Sequence, residues 1–373
     1  MPRVPALEEL QRRRSEKWSG HAAGVISATI AEMDFELAEP ITAVLRDAID
    51  RSDLGYTSGA APSVSAAFAG FAERRLDWQV DPERVTLVPD VMVGLIELCR
   101  LIAPGGSIGF ATATYPPFFQ QLPAAGFSLV SIPLLADGSF DLEALSTRLQ
   151  DGLDILILPN PHNPTGRVLP HSELTQIADL CAQYGTWVLA DEIHAPLVLP
   201  GAKHTPWLEV SDAARSCGIS LTSASKAFNL AGLKTALLVT ASDRAQDLVK
   251  RLPFNNDQVG ILGVLAAEAA FTNGDDWLDD VLRQLDRNRA LLGDQLPKGI
   301  TWTSPQATYV AWLDCAGAGL GEDPAAFFLE HSKVALSPGR SYDPAATSFV
   351  RLNFGTSEEL LTEMLARMSD AIS

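Results

Sequence analysis

Short apolar runs alternate with amphipathic segments through the middle of the chain. Runs of 4–7 residues rich in Val, Ile and Leu indicate buried strands, and apolar residues spaced three to four apart indicate helices between them. Strand, helix and strand in this order are typical of βαβ units, which form a parallel or mostly parallel sheet with helices on both faces. The predicted strands are residues 85–88, 107–110, 128–134, 154–159, 186–191, 218–224 and 234–240. The predicted helices are residues 40–49, 64–76, 91–102, 118–125 and 173–183.

The pattern changes after Pro253. A helix rich in small residues is predicted at 260–271 and a long charged amphipathic helix at 277–296, followed by strands at 308–314 and 349–355 and helices at 323–331 and 357–371. The beginning of the chain shows a short helix and then an irregular run through 31–35. We therefore expect a large α/β domain at 40–280 and a smaller α+β domain formed by 1–39 and 281–373.

Composition and charge exclude several classes of protein. The chain has 373 residues and a formal net charge of -18, which argues against a nucleic-acid partner because phosphate binding needs clustered Lys and Arg. No apolar run approaches the length that spans a membrane, and the start lacks the apolar stretch of a secretion signal. The four cysteines are far apart and form no C-x-x-C pair, so neither a metal site nor a disulfide framework is indicated. A cytoplasmic protein is expected.

Polar residues follow the predicted strands at the edge where ligands of open α/β sheets bind. Each residue alone has an ordinary explanation, because an Asp after a strand is often a helix cap and Asn-Pro initiates turns. The ordered set makes a shared site the better interpretation. Its members are Asp90, Val91 and Met92 after the first strand, then Tyr115, Asn163, Asp191, His194, Ser223, Ser225 and Lys226.

Three of these segments resemble a known superfamily. The run NPHNPTG at 160–166, the pair Asp191-Glu192 and the S-x-S-K run at 223–226 resemble fold-type I pyridoxal-phosphate (PLP) enzymes of the aspartate-aminotransferase superfamily. Within it, AEMDF at 31–35, DEIHAPLVLPGAKHTPW at 191–207 and SKAFNLAGLK at 225–234 resemble the MalY/PatB group of carbon–sulfur β-lyases. The likeness runs from about residue 17 to residue 355. It implies the fold-type I architecture, with a mostly parallel central sheet between helices and a smaller α+β domain.

The resemblance implies roles around the cofactor ring. Lys226 would hold PLP as a Schiff base and, once freed by substrate, move the Cα proton. Asp191 would keep the ring nitrogen protonated, and Asn163 would donate a hydrogen bond to the ring 3-oxygen. His194 would be a second partner near that edge, and Tyr115 would stack on the ring.

It also implies how the phosphate and the substrate are held. The phosphate would meet the first amides of the helix that begins near Val91, while Asp90 would point away and cap that helix. The substrate α-carboxylate would be bound by Arg351, with Arg340 as the second choice, and would meet the backbone at Ala31. The remaining phosphate ligands would be Met92, Ser223, Ser225, Lys234 and, across a homodimer interface, Tyr56 of a second subunit.

Three functions stay open on the sequence. The first is a β-lyase that cleaves cystathionine or a related cysteine S-conjugate to pyruvate, ammonia and a thiol. The second is an aminotransferase, and the third is a regulatory PLP-binding protein with little turnover. The AEMDF and DEIH motifs favour the lyase, although Glu32, Thr165 and Ala195 depart from the group's usual residues. The intact set of Lys226, Asp191, Asn163 and Arg351 argues against the regulatory protein.

Overall fold

A computed structural model describes residues 2–57, 60–135, 137–253 and 258–373. The strands in this part of the chain are β1 (Ile26–Ala28), β2 (Val85–Val88), β3 (Ser107–Thr112), β4 (Ser128–Pro133), β5 (Ile155–Pro159), β6 (Trp187–Asp191), β7 (Gly218–Thr222), β8 (Ala236–Val239), β9 (Thr301–Trp302), β10 (Val310–Asp314), β11 (Val334–Pro338) and β12 (Phe349–Asn353). The α-helices are α1 (Leu7–Leu10), α2 (Glu39–Asp50), α3 (Ala61–Leu76), α4 (Val91–Ile102), α5 (Pro117–Ala124), α6 (Leu142–Gln150), α7 (His171–Tyr184), α8 (Trp207–Val210), α9 (Asp212–Cys217), α10 (Ala224–Ala227), α11 (Asp243–Val249), α12 (Ile261–Asn273), α13 (Asp275–Asp294), α14 (Pro324–His331) and α15 (Glu358–Ile372).

Seven strands form the larger sheet, in the order β2-β8-β7-β6-β5-β3-β4. Strands β4, β3, β5, β6 and β7 run parallel to one another, and β8 is antiparallel to both β7 and β2. Every residue of β5, β6 and β7 is buried, which explains why these strands read as continuous apolar runs in the sequence. The predicted α/β fold with a mostly parallel sheet is confirmed.

The second sheet joins the beginning of the chain to its final third. Its five strands run in the order β1-β11-β12-β10-β9, and β1 pairs parallel with β11. The sequence pattern did not predict β1, β9 or β11. Segments on both sides of the long middle region thus share one sheet, as the expected smaller domain requires, and the boundaries at 39/40 and 280/281 stay a prediction.

Helix α12 packs closely against the loop before β8. A Cβ on Gly263 of helix α12 would lie 2.4 Å from the carbonyl oxygen of Leu233 and 2.1 Å from Oγ1 of Thr235. Only glycine therefore allows α12 to approach this loop, which carries Lys234 in the left-handed region at φ +53°. None of the helices in the described ranges is both long enough and apolar enough to cross a membrane.

Candidate active site

A cavity of about 350 Å³ lies at the carboxyl ends of the central strands. The loop at residues 30–32, which follows β1, forms the opposite wall. Most of the residues predicted from the sequence therefore come together at one place. The predicted residues that line it are Ala31, Asp90, Val91, Met92, Tyr115, Asn163, Asp191, His194, Ser223, Ser225, Lys226 and Lys234.

Lys226 lies on α10, the short helix that follows β7, and its side chain is half-buried in the cavity wall. Nζ donates a hydrogen bond to the carbonyl oxygen of Ala31 at 3.0 Å. Burial lowers the pKa of Lys226 to about 8, and the positive charge of Arg351 acts in the same direction. A lysine in this environment has a substantial neutral fraction near neutral pH, which is the form that acts as nucleophile or base.

Asp191 ends β6 and presents a buried carboxylate to the cavity. Its Oδ1 accepts a hydrogen bond from the amide of Ile193 at 3.2 Å. Burial is the main reason that its pKa is raised to about 6. A buried carboxylate is stabilised by a cationic partner, so this position fits a protonated ring nitrogen.

His194 is neutral in this cavity because burial lowers its pKa to about 3. Its Nδ1 is buried and has no hydrogen-bond partner among the described residues. A buried polar atom without a partner is costly unless a ligand or water completes it, so His194 marks the cavity as a place for a polar ligand.

Arg351 contacts the cavity wall through Asn163. Its Nη1 donates to Asn163 Oδ1 at 3.1 Å, and its Nη2 donates to the carbonyl oxygen of Thr29 at 2.7 Å. The guanidinium carbon lies 4.9 Å from the centre of the Tyr342 ring, and Nε has no described partner. Arg351 is not itself a lining residue, so it reaches the site from behind Asn163.

The region predicted to hold the phosphate differs from the expectation in two respects. Asp90 caps α4 as expected, with Oδ1 accepting from the amide of Met92 at 2.8 Å. However, Asp90 also lines the cavity, and its Oδ2 forms an ion pair with Lys234 Nζ at 2.9 Å. The expectation that Asp90 points away is wrong, because the capping oxygen lies over the same helix amides that an anion would use. A phosphate would have to displace Asp90 from both Met92 and Lys234.

Ser223 is held by hydrogen bonds, and Tyr115 is held by aromatic packing. Ser223 Oγ donates to the carbonyl oxygen of Thr235 at 2.6 Å and accepts from the amide of Ser225 at 3.0 Å, so it caps α10. Tyr115 packs edge-on against Phe118, with ring centres 5.6 Å apart. Burial, followed by the nearby Asp191 charge, raises the pKa of Tyr115 to about 12.

Like Arg351, two further predicted residues do not line the cavity. The side chain of Tyr56 is 87% exposed and does not line it, so its proposed phosphate contact requires a second subunit. Arg340 donates to the carbonyl oxygen of Glu322 and lies 3.9 Å from Asp323 Oδ2, in a partly exposed ion pair. Arg340 is therefore held away from the site.

The sequence analysis missed the side chains that fix the loop at 30–34. Asn353 Nδ2 donates to the carbonyl oxygens of Ile30 and Glu32 at 2.6 and 2.7 Å. Asn229 both accepts from the amide of Met33 and donates to its carbonyl oxygen, each at 2.9 Å. Because Arg351 and Asn353 lie two residues apart on β12, they project from the same face toward this loop.

A buried ion pair completes the support of this loop. Lys17 Nζ lies 2.9 Å from Asp34 Oδ2 and donates to the carbonyl oxygen of Glu32 at 3.2 Å. Trp18 Nε1 donates to Asp34 Oδ1 at 2.8 Å, and Tyr309 OH donates to the carbonyl oxygen of Ala31 at 2.8 Å. The only signal in the sequence was the AEMDF motif itself, which contains the acceptors but not their distant donors.

The residues in the cavity fit PLP at the ring and leave one conflict at the phosphate. They offer an amine, a carboxylate for a ring nitrogen, an amide and an aromatic ring, and His194 Nδ1 awaits a partner. Asp90 is the residue that an incoming phosphate would have to displace.

The chain belongs to the aminotransferase class I and II family, whose model matches residues 25–368. It is 34% identical to the cystathionine beta-lyase of Corynebacterium glutamicum, over 99% of this chain and 100% of that protein. It is also 34% identical to the cystathionine beta-lyase PatB of Bacillus subtilis, over 98% of each chain. A solved structure from Corynebacterium diphtheriae, provisionally named a PLP-dependent beta-cystathionase, has a TM-score of 0.93 and 34% identity and covers 100% of this chain and 99% of its own. The fold-type I architecture expected from the sequence is confirmed.

Proposed function

We propose that this protein is a PLP-dependent carbon–sulfur β-lyase that cleaves cystathionine or a related L-cysteine S-conjugate to pyruvate, ammonia and a thiol. The observation that carries the proposal is the Lys226 side chain, which lines one cavity together with Asp191 and Asn163. Relatives with near full-length coverage that are named cystathionine beta-lyases support the same reaction.

The residues of the chain divide the work of this reaction. PLP, when bound, withdraws electrons from the substrate Cα and so makes its C–H bond acidic. Lys226 Nζ takes the Cα proton, which its lowered pKa permits near neutral pH. Asp191 would hold a proton at the nitrogen of the bound ring, and Tyr115 would cover one face of that ring. Arg351 binds the substrate α-carboxylate and fixes the direction of the Cα–H bond.

An aminotransferase is the alternative, because it uses the same lysine and the same proton loss from Cα. The two reactions differ in whether a group leaves Cβ or a proton is delivered to the cofactor. Pyruvate release from an S-alkyl-L-cysteine should be measured with and without an added 2-oxo acid. We expect equal rates of pyruvate release in both cases. A 3-(alkylthio)-2-oxo acid that forms only with the added 2-oxo acid, without pyruvate or thiol from the substrate, would establish transamination instead.

The attachment point of the cofactor is tested separately. Borohydride reduction of the PLP-loaded protein, followed by digestion and mass spectrometry, should locate the cofactor on Lys226. The Lys226→Ala variant should carry no reduced adduct. A map that places the adduct on another lysine would end this assignment.

We also propose that the protein is a cytoplasmic homodimer with shared active sites. Tyr56 and the nearby Leu54 and Ile49 are exposed large side chains, 87%, 54% and 56% respectively, and a second subunit would cover them. In the same proposal, residues 40–280 form the cofactor-binding domain, and residues 1–39 with 281–373 form the smaller domain. Sedimentation of the active protein as a strict monomer would refute the shared site.

A further inference from the structure

A buried polar cluster centred on His204 lies behind the active-site cavity. The side chain of His204 is 6% exposed and does not line that cavity. Its Nε2 lies 3.1 Å from Glu192 Oε1, and its Nδ1 lies 3.3 Å from Asn160 Nδ2. His204 belongs to the segment at 191–207 that resembles the β-lyase group, yet the reaction proposed above gives it no role.

The contacts of Glu192 fix the proton on one ring nitrogen of His204. Glu192 directly follows Asp191, and its side chain is buried. Besides its contact with His204, Oε1 accepts a hydrogen bond from the amide of Trp207 at 2.7 Å, and Oε2 accepts one from Ser220 Oγ on β7. Because an ionised carboxylate only accepts hydrogen bonds, each neighbour must present a hydrogen to it. Nε2 of His204 therefore carries a proton.

The contacts of Asn160 decide the state of the other ring nitrogen. Asn160 Oδ1 accepts a hydrogen bond from the amide of Leu169 at 3.0 Å, so Nδ2 is the atom that faces His204 Nδ1. An amide nitrogen only donates, so Nδ1 must accept and carries no proton. A ring with a proton on Nε2 alone is neutral. The contact between His204 and Glu192 is thus a hydrogen bond and not an ion pair.

The two partners of His204 belong to the loops that hold the cofactor ring. Asn160 begins the loop that carries Asn163, Glu192 is the neighbour of Asp191, and the amide of Asn160 donates to the carbonyl oxygen of Asp191 at 3.0 Å. Without His204, the buried Asn160 Nδ2 and Glu192 Oε1 would each lose a partner, and the loops would relax to satisfy them. PLP binding would then have to restore the arrangement, a cost that a preorganised site avoids.

We propose that neutral His204, with its proton on Nε2, is a positioning residue that holds the loops of Asn163 and Asp191 in place for the cofactor ring. It acts through Asn160 and Glu192 and does not touch PLP itself. The proposal concerns the cofactor site and does not depend on which reaction the loaded protein performs.

The protonation state of His204 is measured by NMR of the PLP-loaded protein with isotopically labelled histidine ring nitrogens. The signals that disappear in His204→Gln assign His204. We expect one protonated and one unprotonated ring nitrogen at neutral pH, with the proton on Nε2. A doubly protonated ring, or a proton on Nδ1, would overturn the arrangement.

The positioning role is measured as PLP affinity by equilibrium dialysis. His204→Gln is the conservative variant, because a side-chain amide offers one donor and one acceptor on neighbouring atoms as this imidazole does, whereas His204→Leu offers neither. The PLP dissociation constant should stay within about 2-fold of the wild type in His204→Gln and rise about 10-fold in His204→Leu. Thr186→Val is the matched control, since it removes a buried hydrogen bond from Thr186 Oγ1 to the carbonyl oxygen of Leu153, 2.7 Å long, at the opposite end of β6. It should leave the constant unchanged.

The possible failures are distinguishable. Unchanged affinity in His204→Leu, or an equal loss in His204→Gln, would overturn the positioning role. An equal loss in Thr186→Val would overturn it as well, because general destabilisation would then be the cause. If His204→Leu does not fold, the NMR result and the affinity of His204→Gln decide. Neither measurement involves cleavage, so a protein that shows the expected pattern but cleaves no S-conjugate would refute the lyase function and retain the role of His204.

Discussion

The amine of Lys226 should lose its proton far below the pH at which an ordinary lysine does. In the protein free of cofactor, burial and the nearby Arg351 lower its pKa to about 8 from 10.5. Since the pKa is lowered, Lys226 is protonated below about pH 8 and neutral above it. Its nucleophilic form is therefore present under conditions where an exposed lysine is almost entirely charged.

The size of the effect follows from the two pKa values. At pH 7 about one amine in ten is neutral at a pKa of about 8, against about one in three thousand at 10.5, a gain of roughly 300-fold. Replacing Arg351 with Gln removes a positive charge that opposes protonation, so the pKa of Lys226 should rise in the Arg351→Gln variant. Burial is the larger cause, so it should remain below 10.5.

Trace acetylation of the apoprotein over pH 6–11 measures this directly. The rate at Lys226 is obtained by peptide mass spectrometry against Nα-acetyl-lysine in the same solution. The midpoint of its pH profile reports the pKa, whereas limited access of the reagent changes only the amplitude. A midpoint near 10.5 in the wild type would refute the electrostatic reasoning and the role of Lys226 as a base near neutral pH.

Three further substitutions test other parts of the site. Arg351→Ala should mainly raise KM, and the transition-state stabilisation calculated from kcat/KM should fall by about 2–4 kcal/mol while the PLP content stays near that of the wild type. Loss of the cofactor would show instead that Arg351 has a structural role. Lys17→Met leaves Asp34 buried without its cation and should reduce the free energy of unfolding in urea by about 3–5 kcal/mol; a loss below 1 kcal/mol would contradict the support assigned to this pair. Tyr56→Phe should weaken PLP retention in equilibrium dialysis by about 1 kcal/mol; unchanged retention would remove Tyr56 from the phosphate site.

The sequence was sufficient where local pattern decides the structure. Strands such as β5 and β6 are buried on both faces, so they appear as uninterrupted apolar runs. Strand β1 has only three residues, and its partner β11 lies about 300 residues later in the chain. Their pairing depends on the tertiary fold, so the local sequence pattern did not predict either strand. Once these strands were predicted, the meeting of the polar residues at their ends was predictable too, because a parallel sheet brings the carboxyl ends of its strands together.

The finer geometry of the site depends on contacts between distant residues. Asn353 and Asn229 reach the loop at 30–34 from more than 190 positions away, and their roles follow only from the folded chain. For Asp90, by contrast, one contact was predictable from the sequence, because its place directly before α4 indicates that it caps this helix. Its second contact, to Lys234, is set by the loop before β8 and was not predictable.

The stoichiometry of L-cystathionine cleavage tests the account most directly. Purified PLP-loaded protein, incubated with L-cystathionine and no 2-oxo acid, should release pyruvate, ammonia and homocysteine in equal amounts over many turnovers. Lys226→Ala, loaded with the same cofactor, should release none of them. If homocysteine and pyruvate do not form, or if they form at the same rate with Lys226→Ala, the result would contradict β-elimination by Lys226.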